Sequence, residues 1–316
     1  MADFSSHKAD SLATIAIFAF NRPDKISNCL KSLANCYDFS RSKIVIFQDG
    51  PIVSKSDFDY EETTRIIEKY AQIHDLTFIK NTLNRGLQES IISGINKVFE
   101  TTSKIIVVED DLVVSPYFIN YCNEYLKMYE DEKIVASIHG YAYPIEISFE
   151  IPYFLKGADC WGWATWRDRW EAFEPSANVS LNGIRNEKKA YDFDMNGSVG
   201  YSNMLYRQSI GKLNSWAIRW HASMYLQNRV TLYPVESHVL NTGADGSGTN
   251  VKTSTKYETK LANKASPVVY QKPTINKEAN RALIKYYRKA NRYSILKIIT
   301  YKILDILDLY GNIVFK

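Results

Sequence analysis

Three consecutive carboxylates, Glu109-Asp110-Asp111, follow directly on the apolar run KIIVV at residues 104–108. Acids crowded at the end of a buried strand repel one another and lose hydration unless a cation shares the site. Hard divalent ions take carboxylate oxygens together with substrate phosphates. Such an ion, bridging a diphosphate, offsets the charge of a leaving group. The same acids would also serve as a solvated cap on a following helix, where negative charge is favourable. Gln48-Asp49-Gly50 has two readings as well. Asp-Gly is a turn signal, and a carboxylate at a strand end can hydrogen-bond a base or a ribose. The chain has neither GxGxxG nor GxxxxGK[ST], so a dinucleotide cofactor or a P-loop nucleotide would lack its phosphate cradle. A nucleotide held through a metal is what remains.

The elements that must position these acids alternate between two periodicities. Residues 14–20 (TIAIFAF), 43–47 (KIVIF), 76–79 and 104–108 are short continuous apolar runs, as expected of strands buried on both faces. Helices are predicted between them: one capped by Asp24 with Ile26, Leu30 and Leu33 on one face, one around 61–71, and one opened by Asn84-Arg85-Gly86 and running to Phe99. This alternation means an α/β fold with a mostly parallel, doubly wound sheet. Ligands of such sheets sit off the carboxyl ends of the strands. Asn21, Asp49, Asn84 and the acidic triplet all fall there, with Arg22 and Arg85 beside them. After Ser115-Pro116 a helix is predicted over 117–128. Beyond it lie an aromatic patch at 159–166, a polar stretch at 178–214 read as a long loop or lid, and a flexible loop at 245–250.

The chain of 316 residues is 45% hydrophobic and 23% charged, the composition of a globular protein. Aromatics reach 13%, with 22 Tyr, 14 Phe and 6 Trp, and sugar-binding clefts are one use of such a surplus. Cys29, Cys36, Cys122 and Cys160 show no CxxC or His-rich spacing, so neither a disulfide scaffold nor a zinc site is expected and a reducing cytoplasm fits. Residues 1–11 carry no apolar core of a secretory signal, and no uncharged apolar run approaches the ~18 residues of a spanning helix. Net charge is +4, but residues 277–316 hold nine Lys/Arg against three Asp/Glu, which leaves residues 1–276 at minus two. A nucleic-acid binder would spread its positive charge over the folded body instead.

The stretches TIAIFAFNRP (14–23), IVIFQDG (44–50) and IVVEDDLVVSP (106–116) resemble the nucleotide-sugar-binding half of GT-A glycosyltransferases. N-acetylglucosaminyltransferase I-like enzymes and bacterial surface-polysaccharide, family 2-like enzymes are the nearest in pattern. Residues 159–170, 215–220 and 241–250 are also similar to bacterial members, so the resemblance covers about 12–250. It implies a GT-A domain over 12–276, with a nucleotide-sugar half at 12–116 and an acceptor-side half at 117–276. It also implies a UDP-sugar donor, with uridine at Asp49, manganese or magnesium at Asp111, and ribose and donor sugar at Glu109 and Asp110.

Two departures concern the catalytic base. The family pattern carries it in a Trp-Asp-Asp-Trp segment, whereas Trp216-Ala217-Ile218-Arg219-Trp220 holds no carboxylate, and Asn250 stands where a histidine often ends the donor loop. An inverting transfer needs a base for the acceptor hydroxyl. Asp159 is the leading candidate, with Asp245 and Glu236 behind it; a turn or cap role is the alternative for Asp159. Trp161, Trp163, Trp216 and Trp220 would stack on sugar rings or fill the core. Arg219 would pair with a diphosphate or satisfy a buried carboxylate. His139, His221 and His238 are isolated and read as structural.

The expected activity is metal-dependent transfer of a sugar from a UDP-sugar to a glycan acceptor in bacterial surface polysaccharide synthesis, probed against two rivals. One is a sugar-phosphate nucleotidyltransferase, although 20–23 lacks its Gly-rich basic signature. The other is a non-catalytic glycan-binding protein that kept the fold. Finally, Lys285, Arg288, Lys289 and Arg292 fall at i, i+3, i+4 and i+7, a basic stripe on a helix, before a strongly apolar stretch from Ile295 interrupted by Lys297, Lys302, Asp305 and Asp308. This pattern forbids a span and permits a helix lying on an anionic membrane at the inner face of the cytoplasmic membrane. Docking on the body, or a dimer seam, is the alternative.

Overall fold

The computed structural model describes residues 12–52, 58–246, 256–307 and 309–315. Residues 1–11, loop residues 247–250 with Asn250, and Asp308 lie outside them. The first half follows the expected alternation: β1 (Thr14–Ala19), α1 (Pro23–Ala34), β2 (Ile44–Gln48), α2 (Phe58–His74), β3 (Thr77–Lys80), α3 (Leu87–Phe99) and β4 (Lys104–Glu109). Next come β5 (Leu112–Val114), α4 (Phe118–Met128), β6 (Val135–His139), β7 (Tyr153–Lys156) and β8 (Trp163–Trp166). The acceptor side continues with α5 (Arg167–Trp170), α6 (Ala177–Asn186), α7 (Ala190–Phe193), α8 (Tyr201–Ser209), α9 (Trp216–Leu226), β9 (Val230–Tyr233) and β10 (Val239–Asn241). Helices α10 (Lys277–Ala290), α11 (Ile295–Ile306) and α12 (Tyr310–Val314) close the chain.

Eight strands form one sheet in the order β3-β2-β1-β4-β8-β6-β9-β7. The first four are parallel, β8 runs against both β4 and β6, β9 is parallel to β6, and β7 is antiparallel to β9. All six residues of β1 are buried, and they alternate between two cores. Ile15 and Ile17 face Ile26, Leu30 and Leu33 of α1 with Ile119 and Leu126 of α4. Ala16 and Phe18 face Ile91 and Ile95 of α3 with Trp216 and Trp220 of α9. A strand covered on both faces reads as an unbroken apolar run for this reason.

Three expectations need correction. Asp24 does not cap α1: Arg22 holds that position without a side-chain cap bond, and Asp24 sits inside the first turn, where its charge still favours the helix dipole. The stretch 178–214 is not a loop, because α6, α7 and α8 occupy most of it. Ser176 caps α6 by accepting from Val179 N, and Leu181 and Ile184 bury one face. Its glycine is a packing residue, since a Cβ at Gly183 would lie 2.9 Å from Leu226 Cδ1 on α9. The basic stripe ends early as well, with Arg292 beyond α10 at φ +52°. Helix α10 docks on the body through Ala279, Leu283 and Tyr287, packed with Tyr153 and Tyr233, and Lys285 and Lys289 both pair with Glu146, at 3.0 and 2.8 Å. No helix among the described residues is long and apolar enough to cross a membrane.

Candidate active site

Parallel pairing aligns Phe18 of β1 with Glu109 of β4, and the Asp110 N–H continues the ladder by donating to Phe18 O at 3.0 Å. The triplet therefore projects from the carboxyl edge of the sheet, opposite the start of α1. From there Arg22 lays its guanidinium across two acids: Nε reaches Asp110 Oδ2 at 3.3 Å, Nη2 contacts Asp110 Oδ1, and Nη1 lies 3.0 Å from Asp111 Oδ2. Burial pushes the Asp110 carboxyl up to about 6 against the opposing pull of Arg22. Burial, then Asp111 and Asp110, raise Glu109 to about 8. A side-chain cation already compensates part of this cluster.

A two-stranded ribbon, β5 against β10, brings residues 241–243 over the triplet. Asp111 O accepts from Thr242 N and Thr242 Oγ1, each at 2.8 Å. A side chain at Gly243 would collide with the acid, since its Cβ would stand 2.2 Å from Asp111 Oδ2. Lys25 Nζ ties the loop down through Thr242 O at 2.6 Å and Asp245 Oδ2 at 2.5 Å. Asp245 is thus engaged by Lys25. Glu236 is exposed on the turn between β9 and β10.

The end of β2 meets the loop after β3. Asp49, 4% exposed, accepts from Gly50 N at 2.9 Å, Arg85 N at 3.0 Å and Gly86 N at 2.8 Å. Asn84 Nδ2 donates to Gly50 O at 2.9 Å, while Asn84 and Arg85 are otherwise exposed. Gly50 is required by close approach, because a Cβ there would fall 2.2 Å from the Leu83 carbonyl carbon. The turn reading of Asp49 is realised: its carboxylate knots two loops at the edge of the crevice.

A cavity of about 160 Å³ is lined by Asp159, Trp161, His139, His221, Tyr201 and Tyr257, among others. Tyr143 and Tyr233 donate their hydroxyls to Asp159 Oδ2 at 2.6 and 2.7 Å. Oδ1 takes no hydrogen bond among the described residues. His139 Nε2 accepts from Trp161 N at 3.2 Å, its Nδ1 is buried without a partner among the described residues, and burial lowers the ring to about 4. His221 Nδ1 lies 2.9 Å from Ala158 O. Cys160 also lines the cavity, and burial, followed by the charges of Glu109, Asp159 and Asp111, raises its thiol.

The other aromatics are placed differently. Trp163, Trp216 and Trp220 are 0%, 3% and 0% exposed and pack against one another and Trp170. They form core under the sheet and offer no face to a sugar. Arg219 sits beside them, donating to Pro175 O at 2.7 Å with its guanidinium over Phe173; no carboxylate pairs with it among the described residues. His238 bridges Ser115 Oγ at 2.8 Å and Ser266 Oγ at 3.2 Å, a structural role as expected. Sequence reasoning missed the tyrosines around Asp159 and the Lys25–Thr242 tether. The surplus of Tyr was the available signal for the first.

Residues 14–149 match the family model described as glycosyl transferase family 2. The matched stretch runs from β1 to β6 and holds the acidic triplet, so this part of the chain is similar to glycosyl transferase family 2, and the sheet order is the one expected of a GT-A fold. Among solved structures the chain is similar to Staphylococcus aureus TarS 1–349, at 13% identity and TM-score 0.39, covering 73% of this chain and 61% of that one. It is also similar to GalNAc-T7 solved with UDP, GalNAc and Mn²⁺, at 8% identity and TM-score 0.43, covering 74% and 45%. The chain thus spans less than two thirds of either protein's length. No curated protein matches the sequence.

Proposed function

We propose that the protein transfers a sugar from a UDP-sugar to a glycan acceptor, with inversion and with a divalent metal at Asp111. The observation that carries this reading is the acidic triplet at the carboxyl edge of β4, its Asp110 and Asp111 held by the guanidinium of Arg22. The metal fits the donor set in part. Carboxylate oxygens suit Mn²⁺ or Mg²⁺, and the guanidinium on Asp110 and Asp111 marks a place that accepts a cation. Among the described residues, no group of three or more His, Cys, Asp and Glu is arranged to hold a metal alone, so diphosphate and water would supply the remaining ligands. When bound, the metal would offset the charge of the departing UDP.

The remaining roles fall to this chain's own side chains. Asp111 anchors the cation, and Glu109 and Asp110 face ribose and donor sugar. Asp49 holds the 84–86 loop at the uridine end, where Asn21, Arg22, Asn84 and Arg85 surround the nucleotide. Asp159 serves as base: two tyrosine hydroxyls donate to Oδ2 and fix the orientation of the carboxylate, leaving Oδ1 for the proton of an acceptor hydroxyl. Trp161 lines the sugar-side wall. The catalytic body is 12–276, with halves at 12–116 and 117–276. Its acceptor is a glycan or a lipid-linked glycan of bacterial surface polysaccharide synthesis, a lipid-linked one being met at the inner face of the cytoplasmic membrane.

A thermal-shift screen of UDP-, GDP-, CMP- and dTDP-sugars, each with and without Mn²⁺, tests the donor assignment. A ligand of the native state adds ~2.7 kcal/mol at a hundredfold excess over its Kd, so stabilisation by UDP-sugars with metal is expected. Stabilisation by another nucleotide class alone would overturn the donor, and pyrophosphate release from UTP and a sugar phosphate would favour nucleotidyl transfer.

A further inference from the structure

Helix α11 has no buried side chain. Ile295, Leu296 and Ile306 are 77%, 74% and 72% exposed, and Ile299, Ile303 and Leu307 are 49%, 49% and 58% exposed. At 3.6 residues per turn these six share one arc of roughly a third of the helix. The opposite side docks: Tyr301 and Leu304 pack against the cluster that holds Leu205, Tyr225, Tyr310 and Phe315. The apolar arc therefore points straight away from the body, and Leu309 and Ile313, 43% and 47% exposed, extend it. Its two neighbours are fixed, α10 by Leu283 and Tyr287 and α12 by Tyr310, which donates to Asp194 Oδ2 at 3.0 Å.

Contiguous exposed apolar surface of this kind marks a partner or a membrane. Charge chooses between them. Residues 277–316 carry a surplus of six positive charges, so two copies meeting there would repel, whereas anionic headgroups would attract. Lys302 is exposed beside the arc and Arg292 is exposed just before the helix; among the described residues neither is held in an ion pair. The expected basic stripe of α10 is engaged elsewhere, Lys285 and Lys289 by Glu146 and Arg288 by Asn196 O at 3.3 Å.

We infer that α11 lies in the surface of an anionic bilayer, with Ile295, Leu296, Ile299, Ile303, Ile306 and Leu307 among the acyl chains and Lys302 and Arg292 at headgroup level. This rests on the membrane placement proposed above and moves the attachment from the stripe of α10 to the apolar face of α11. Attachment by insertion, unlike attachment by charge alone, survives salt once formed.

Flotation of the full chain with phosphatidylcholine vesicles containing phosphatidylglycerol tests it, at low and at high salt. The wild type is expected to float in both. The triple variant Leu296→Asn/Ile299→Asn/Ile303→Asn is expected to lose roughly a hundredfold in vesicle affinity, with its unfolding midpoint and nucleotide-sugar binding unchanged because these side chains lie outside the core and the crevice. Equal flotation of the variant, or loss of wild-type flotation in high salt, would overturn the inference. So would a wild type that stays unfloated, whether monomeric or a dimer that the triple substitution splits. Intact donor binding in any of these cases would leave the proposed sugar transfer standing.

Discussion

Arg22 Nη1 sits 3.0 Å from Asp111 Oδ2, so the last acid of the triplet, its side chain 13% exposed, is held by a cation from the start of the neighbouring helix. The same guanidinium contacts Asp110, whose side chain is 3% exposed. Arg22 thus keeps three adjacent acids compatible with a folded sheet edge before any ligand binds.

Arg22→Gln should consequently destabilise the fold. Removing one partner leaves Asp110 buried with less compensation, at a cost of about 2 kcal/mol given the partial exposure of Arg22. Urea unfolding reads the change directly. A midpoint equal to wild type would show that the acids need no cation.

Asp159→Asn should lower kcat by roughly a hundredfold or more while UDP affinity stays the same, as befits a base. Tyr143 and Tyr233 would keep a carbonyl oxygen to donate to, so the cavity should hold its shape. Steady-state kinetics beside UDP titration separates the effects, and full turnover in the variant would move the search to Asp245 and Glu236.

Trp220 and Trp161 should behave differently. Trp220 is fully buried, so Trp220→Ala should cost about 3–5 kcal/mol. Trp161 borders the cavity, and Trp161→Ala should raise the acceptor KM with a smaller loss of stability. Paired unfolding and kinetic measurements decide this, and a reversed pattern would return Trp220 to sugar stacking.

Asp194 gives the fold a pH dependence. Burial pushes its carboxyl up to about 7, although Ser202 N and Tyr310 Oη donate to it. The folded state therefore binds this proton more tightly than the unfolded chain, whose carboxyl titrates near about 4. Its stabilising contribution is full below about 4 and is lost as pH rises through about 7. Asp194→Asn removes that decline, so the variant should gain about 2 kcal/mol relative to wild type between pH 5 and pH 8. Parallel pH profiles in urea unfolding would contradict the assignment.

The parallel half of the sheet was legible because β1, β2 and β4 are covered on both faces, which leaves an apolar run no polar residue interrupts. Strands β6 to β9 were not. Each has only four or five residues, and they are mixed in direction and paired across long separations, as β4 is with β8. Gly183 and the asparagines of 178–214 mimicked a loop, yet that glycine admits Leu226 of α9. The acids of the crevice were found because local crowding is visible in one dimension. Tyr143 and Tyr233, which meet Asp159 from two different segments, are joined only by the fold. Trp163 and Trp216 misled for a related reason: an indole serves core and sugar cleft alike, and only burial separates the two.

The central claim is that Asp111 anchors a metal-bound nucleotide-sugar at the edge of β4. Isothermal titration of UDP-sugar in Mn²⁺ into wild type and into Asp111→Asn measures it most directly, with circular dichroism to verify the fold. The account predicts metal-dependent binding in wild type, at least a roughly tenfold weakening in Asp111→Asn, and equal ellipticity in both. Undiminished metal-dependent binding by the variant would contradict it.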